Sequence, residues 1–381
     1  PWADTPAVNA LWTADLPGVP LSVQACDMPA GGGIAAGLKT GHVVRFSAEG
    51  RRAGAFETGA EVHALEAADL DGDGRRELLV GSDDEHIYAL KPDMTELWSY
   101  RVPFLKEEQI WLWWTLGTSK VRKIHAGDIT GDGIPELLLG VGNMRLHCLD
   151  AKGSEQWRFR TDHGICTTIT TADVFGEGKN RVVAGNGLTS SAGTCWVLDE
   201  TGKQLQRYYN GSWCTSLPAI AVGDLDGDGK QTVFCGNNRG DVRSYPGAVG
   251  NQTQNWIHNL TRPIRSLTIV PREGGDAVAV GSDSGYLCAF NEAGERVFGT
   301  PLSSAIVDTL LVERAGAASL LVAGCKDGRI FVMDGDGALT GVFDTKARLQ
   351  AITSADLNAD GTEEIIAVTS GPDKIWAVGA E

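Results

Sequence analysis

The sequence predicts an all-β chain, a single closed β-propeller over residues 1–381 with eight four-stranded blades; seven blades plus an irregular unit is the alternative. Three observations lead there. A short apolar phrase ending in Gly recurs along the chain, an acidic turn precedes several copies at a fixed distance, and Trp recurs at a fixed offset from others.

The phrase reads ELLVGS at 77–82, ELLLGV at 136–141, RVVAGN at 181–186, TVFCGN at 232–237, AVAVGS at 277–282 and LLVAGC at 320–325. IAAGLK at 34–39 opens the series, and EIIAVT at 364–369 closes it with Val368 in the Gly position. The markers fall at 37, 81, 140, 185, 236, 281, 324 and 368, with spacings of 44, 59, 45, 51, 45, 43 and 44. A period near 44 holds four short strands and their turns, which is one blade. The 49 glycines suit that many tight turns.

Ring closure follows from the tryptophans. Trp98 and Trp157 each lie 17 residues after a marker Gly, in an outermost strand, whereas the last unit ends at Glu381 before such a strand forms. Trp12 sits 25 residues before Gly37, as Trp256 does before Gly281. The N-terminal segment, about 9–17, is therefore expected to complete the last blade (350–381), which removes two open sheet edges.

Composition narrows the function classes. With 49 acidic and 33 basic residues the formal net charge is −16, unfavourable for nucleic acid or an anionic membrane. No stretch approaches the roughly 18 apolar residues of a membrane span. The opening Pro1-Trp2-Ala3-Asp4 reads like a trimmed start. The eight cysteines form no CxxC pair, and most sit in strand patterns, which reads as buried thiols. A monomer is expected. Phosphate-binding, HExxH and G-x-S-x-G motifs are absent, so nucleotide hydrolysis, zincin and serine-hydrolase chemistry lack support.

Much of the acid falls in repeated loops. Asp69-x-Asp71-x-Asp73 with Glu77, Asp128-x-Thr130-x-Asp132 with Glu136, and Asp356-x-Asn358-x-Asp360 with Glu364 place oxygen donors at alternate positions. A Gly follows each third donor and a carboxylate comes later, the pattern that suits Ca²⁺ and its six to eight oxygens. A fourth loop, Asp224-x-Asp226-x-Asp228, has Thr232 where the others have Glu. In blade 4 the loop is degraded to Asp173, Phe175 and Glu177. In all five the first Asp lies 12 residues before the marker, so all occupy one structural position, and structural Ca²⁺ is expected in the four loops that keep their donors.

These loops resemble the FG-GAP and related repeats of integrin heads and of secreted bacterial proteins, including propeller lyases acting on polysaccharides. The resemblance covers about five of the eight units and implies the propeller, Ca²⁺ and an extracellular or periplasmic setting. It extends to repeats, not to a matched catalytic motif. The strand-Trp phrases ELWSY and EQWRF also resemble quinone-type propellers, whose docking repeat is not present in full series.

A functional site is expected where the repeat breaks. The 59-residue interval holds an insertion near 104–120 with Lys106, Trp111, Trp113 and Trp114, which reads equally as a plug or a ligand wall. The 51-residue interval holds GNGLTSSAGT (185–194) and RYYNGSWCTS (207–216). Counting six residues before each loop Asp gives a channel rim of His63, Arg122, Thr167, Pro218 and Gln350; shorter units add Arg265 and Asp308. His63, Arg122 and Arg265, with His163 and Trp213 nearby, suit a glycan bearing a carboxylate. For a uronate polysaccharide, β-elimination assigns Arg122 or Arg265 to the carboxylate, His63 or His163 as base, and Tyr208, Tyr209 or a second His as acid. A glycosidase would need two carboxylates about 5–10 Å apart, and Asp308 and Asp283 are the pair the rim offers. The expectation is a secreted polysaccharide lyase; the alternative is a non-catalytic glycan- or protein-binding propeller. Because the irregular loops cluster around blades 2 to 5, one site is expected rather than one per blade.

Overall fold

Every blade begins with a strand that mixes buried and half-buried residues, followed by one in which nearly every residue is buried, as in Glu77–Ser82 and Glu136–Val141. The second kind is the marker phrase, apolar on both faces because a sheet covers each side. A computed structural model describes residues 5–29, 31–103, 118–161, 164–187, 193–211 and 215–379. Within them 32 strands form eight antiparallel sheets of four. The innermost strands are Pro20–Met28, Val62–Ala68, Val121–Gly127, Ile165–Ala172, Ala219–Gly223, Ile264–Val270, Ile306–Arg314 and Arg348–Ala355. Each touches the next, and the last touches the first, so they ring a central axis.

The eighth sheet closes the ring as expected. Strand Ala10–Asp15 pairs antiparallel with Lys374–Val378, with Ala10 opposite Val378 and Asp15 opposite Lys374. The outermost strand of that blade thus comes from the opposite end of the chain, and neither terminal strand is left without a partner.

Two contacts hold blade to blade. One explains the marker glycine. A Cβ on Gly81 would lie 2.7 Å from Val121 Cγ1, and one on Gly236 would lie 2.5 Å from Ile264 Cγ2. In both cases the obstructing atom opens the inner strand of the next blade, so Gly is required for the close approach. The second contact is the Trp clasp. Trp98 Nε1 donates to Ala151 O at 3.1 Å, Trp157 Nε1 to Glu200 O at 2.8 Å, and Trp256 Nε1 to Glu292 O at 2.9 Å, each in the following blade's outer hairpin. Trp12 makes the same bond to Ala48 O at 2.7 Å, so it carries the clasp across the closure.

The cores follow from this construction, with apolar clusters between blades; one joins Leu79 and Ile87 of blade 2 to Ile124 and Leu139 of blade 3. Seven cysteines, from Cys26 to Cys325, are buried free thiols. Among the described residues no helix is long and apolar enough to cross a membrane.

Replacing Gly81 by Val should overpack the junction of blades 2 and 3 and cost about 1–3 kcal/mol. The urea midpoint is expected to fall with an unchanged slope; an unaltered midpoint would show that the close approach is dispensable.

Candidate functional site

The residue expected at the channel rim has a structural signature. In the ladders of blades 2, 3, 4, 6 and 8 the register skips one residue near the start of the inner strand, and that residue is His63, Arg122, Thr167, Arg265 or Gln350. A bulge leaves one residue unpaired and re-aims its side chain. In blade 5 pairing begins at Ala219, just after Pro218. Blade 7 departs from the count: the skip falls at Val307, and Asp308 pairs opposite the marker Gly324. A second irregularity, between Val312 and Arg314, adds a residue to that strand and displaces the register by one.

The structure brings two of the expected rim residues together. Arg122 Nη1 lies 2.7 Å from His63 Nε2, while Arg122 Nη2 donates to Asp83 Oδ2 at 2.9 Å. Lys120 Nζ donates to the same oxygen at 2.9 Å, and Glu61 Oε2 lies 3.0 Å from His63 Nε2. The site thus joins the connection into blade 2, the turn after its marker strand and the entry to blade 3. Burial first, and then the Arg122 guanidinium, hold the His63 pKa below its ordinary value, so its ring is neutral at pH 7. Glu61 and Asp83 escaped the sequence reading. Asp83 follows the marker phrase in ELLVGSD as Asp283 follows it in AVAVGSD, and that repetition was the available signal.

Arg265 stands apart from this cluster. It forms a two-point ion pair with Asp283 of its own blade, Nε to Oδ1 at 2.8 Å and Nη2 to Oδ2 at 2.5 Å. Tyr208 is placed in the core, not on the rim. It is fully buried, donates to Pro246 O at 2.9 Å and stacks on Tyr245 at 4.8 Å, because its side chain faces blade 5. Tyr209, next along the strand, is exposed under the Arg207 guanidinium, 4.6 Å from its ring centre. Lys106, Trp111, Trp113, Trp114, His163 and Trp213 lie outside the described residues.

Below the rim the inner strands carry further titratable groups. Burial pushes Glu66 up to about 7 and Asp308 up to about 6, with Lys123 opposing both shifts. Asp308 is exposed, yet the surrounding strands crowd it closely enough to raise its pKa. His125 Nε2 lies 3.0 Å from Thr171 Oγ1, and burial followed by Lys123 pushes its pKa down to about 4.

The acidic loops occupy the opposite face, between first and second strands. Their first Asp is tied to the backbone: Asp69 accepts from Gly72 and Gly74 N–H, both at 2.8 Å, and Asp128 from Gly131 and Gly133 at 2.6 and 2.9 Å. Asp356 accepts from Asp360 and Gly361. The later carboxylate folds back, so that Glu77, Glu136 and Glu364 accept from Leu70, Ile129 and Leu357 N–H at 3.0, 3.0 and 2.8 Å. All three glutamates are buried, which raises their pKa, and neighbouring aspartates raise it further. Asp71 lies with Asp69 and Glu77, and Asp224, Asp226 and Asp228 form a similar group. Thr130 donates to Glu136, and Asn358 to Asp360, beside Asp132 and Glu364. In the fourth loop Thr232 Oγ1 donates at 2.6 Å to Glu292, a carboxylate returned from blade 6 that no spacing within one repeat could reveal. The degraded loop keeps the backbone turn around Asp173, but Glu177 pairs with Arg181 at 2.8 Å.

With this geometry established, three comparisons bear on the chain. A family described as the lambda-carrageenase beta-propeller domain matches residues 105–213, which span blades 3 and 4 and the irregular segments flanking them. The human BBSome complex member BBS2 is 26% identical over 196 residues, covering 50% of this chain but 23% of BBS2. The mouse KICSTOR complex protein ITFG2 is 23% identical over 305 residues, covering 64% of this chain and 68% of ITFG2. Among solved structures, Sqt1 of Chaetomium thermophilum, bound to the N-terminus of the ribosomal protein L10, superposes with a TM-score of 0.70 at 12% identity over 98% of this chain and 99% of that one. At that identity the likeness is one of fold. The chain spans less than a quarter of the BBS2 relative it matches.

Glu66 tests the electrostatics of the inner strands. Its folded pKa lies above the ordinary carboxyl value, so the native state binds more protons than the unfolded one between about 4.5 and 7. Its contribution is fully present below that window and is lost as pH rises through it. Glu66→Gln is expected to flatten that decline in urea titrations across the window; a parallel pH profile would show that Glu66 ionises freely.

Proposed function

We propose that this chain is a non-catalytic binding propeller that docks a protein partner on its rim face, over blades 2 to 4. The observation that carries this reading is the company the fold keeps: BBS2 and ITFG2 are named as members of protein complexes, and Sqt1 is named with a bound protein N-terminus. The rim supplies the asymmetry that a single docking site needs. The Lys120–Asp83–Arg122 network stands at blades 2 and 3, beside connections that break the repeat. β-Elimination ranks below binding, because the relatives are named for complexes rather than for cleavage.

A glycan is the second reading, favoured by the carrageenase-domain match over 105–213, the stretch holding Trp111, Trp113, Trp114 and Trp213. The two readings separate in one experiment. Cross-linking mass spectrometry in native extract is run with the wild type and with a Lys120→Glu/Arg122→Glu variant. A protein cross-linked through blades 2 to 4 and lost in the variant is the expected result. No protein cross-link, with binding to a carrageenan or uronate panel instead, transfers the site to glycan. Cross-links confined to the acidic-loop face in both proteins overturn the rim assignment.

We read the acidic loops as structural Ca²⁺ sites of the FG-GAP kind. Support comes from Glu77, Glu136 and Glu364, buried carboxylates whose neighbours include further aspartates, an arrangement that a hard cation relieves. Chelation should lower the melting temperature and added Ca²⁺ restore it, each saturated site contributing about 2.7 kcal/mol at a hundredfold excess over Kd. Asp71→Asn with Asp73→Asn should reduce that gain. A melting curve indifferent to both chelator and Ca²⁺ would reduce the loops to plain Asp-Gly turns.

A further inference from the structure

Blades 2 and 6 occupy opposite places in the ring and share the phrase GSD, yet their rims differ in a way that bears on ligand chemistry. In blade 6 the bulged residue is Arg265, and its guanidinium takes both oxygens of Asp283. That pair is self-sufficient. In blade 2 the bulged residue is His63, Glu61 stands where blade 6 has Pro263, and the carboxylate is Asp83. The Asp83 side chain is only 6% exposed, and its Oδ1 is buried with no hydrogen-bond partner among the described residues.

We propose that Glu61, His63 and Asp83 form a binding site for one divalent transition-metal ion of the Zn²⁺ type. One donor atom from each lies within 4.8 Å of the other two. His63 Nε2 is 3.0 Å from Glu61 Oε2 and 3.8 Å from Asp83 Oδ2. Zn–N and Zn–O bonds near 2 Å in a tetrahedron put donor atoms about 3.4 Å apart, so the observed edges bracket that requirement. A ring nitrogen with two carboxylates favours a borderline cation over Ca²⁺ or Mg²⁺, which take all-oxygen shells.

The hydrogen bonds within the cluster point the same way. Nε2 cannot both accept from Arg122 Nη1 and donate to the Glu61 carboxylate, yet both groups lie within hydrogen-bond distance. A cation held against the Nε2 lone pair satisfies His63 and Glu61 together. The Arg122 guanidinium, bridging His63 and Asp83, occupies that position as an internal cation, with Lys120 beside it. Both basic side chains are about one-third exposed and long enough to swing toward solvent, so they compete with a metal ion rather than seal the site.

This inference goes beyond the docking reading and is tested with metal alone, so either can fail independently. The full chain, saturated with Ca²⁺ to fill its oxygen loops, is titrated with Co²⁺ and then Zn²⁺. Visible Co²⁺ bands of low-coordinate intensity that Zn²⁺ displaces at one equivalent are expected. His63→Ala should abolish them, Glu61→Gln should weaken binding at least about tenfold, and Arg122→Gln should tighten it by removing the competing cation. Melting curves confirm that each variant is folded. The proposal is overturned if neither the wild type nor Arg122→Gln gives such bands, or if folded His63→Ala binds Co²⁺ as the wild type does.

Discussion

The close approach of each blade's second strand to the next blade's inner strand is the contact on which the rest of the ring depends. Marker glycines at 37, 81, 140, 185, 236, 281 and 324 all face the entry of the following blade, with no room for a Cβ. At the closing junction Val368 takes the marker position and packs with Val23 of blade 1. Because that contact repeats, each inner strand enters at the same height. In blades 2, 3, 4, 6 and 8 the bulge at that entry sets one side chain at the rim, so packing and site geometry share an origin there.

The Trp clasp works at the other radius. Marker glycines fix neighbouring blades near the axis, while Trp12, Trp98, Trp157 and Trp256 fix them at the periphery by reaching a carbonyl of the next outer hairpin. An indole places a large apolar ring and one N–H donor in the same contact, which a sheet edge beside a turn can use. Trp12 carries this contact across the chain closure and adds to the strand pairing of Ala10–Asp15.

The two faces of the disc carry different sets of polar side chains. On one, aspartates held by backbone N–H groups are followed by buried glutamates, and oxygen is the common donor. On the other, Asp83 gathers two basic side chains and a neutral imidazole at one blade boundary. The first arrangement recurs with the repeat and belongs to the scaffold. The second occurs where blade 2 departs from the self-contained Arg265–Asp283 pair of blade 6, and departure from a repeat is what makes a site specific.

The sequence by itself determined the blade count, the closure and the place of the acidic loops, because each is a periodic or fixed-offset signal: marker to marker, Trp to marker, Asp to marker. It also reached the bulged rim positions in blades 2, 3, 4, 6 and 8, since the same local register applies there. It missed by one at Asp308, where an extra irregularity is a property of the ladder and leaves no composition signal. Only tertiary structure decided the partners. Whether Tyr208 faced the core or the rim, whether Arg122 reached back to His63 and Asp83, and whether Glu292 met Thr232 all depend on neighbouring blades. Those residues are 38, 59, 39 and 60 positions apart, and a spacing rule confined to one repeat carries no information about contacts between repeats.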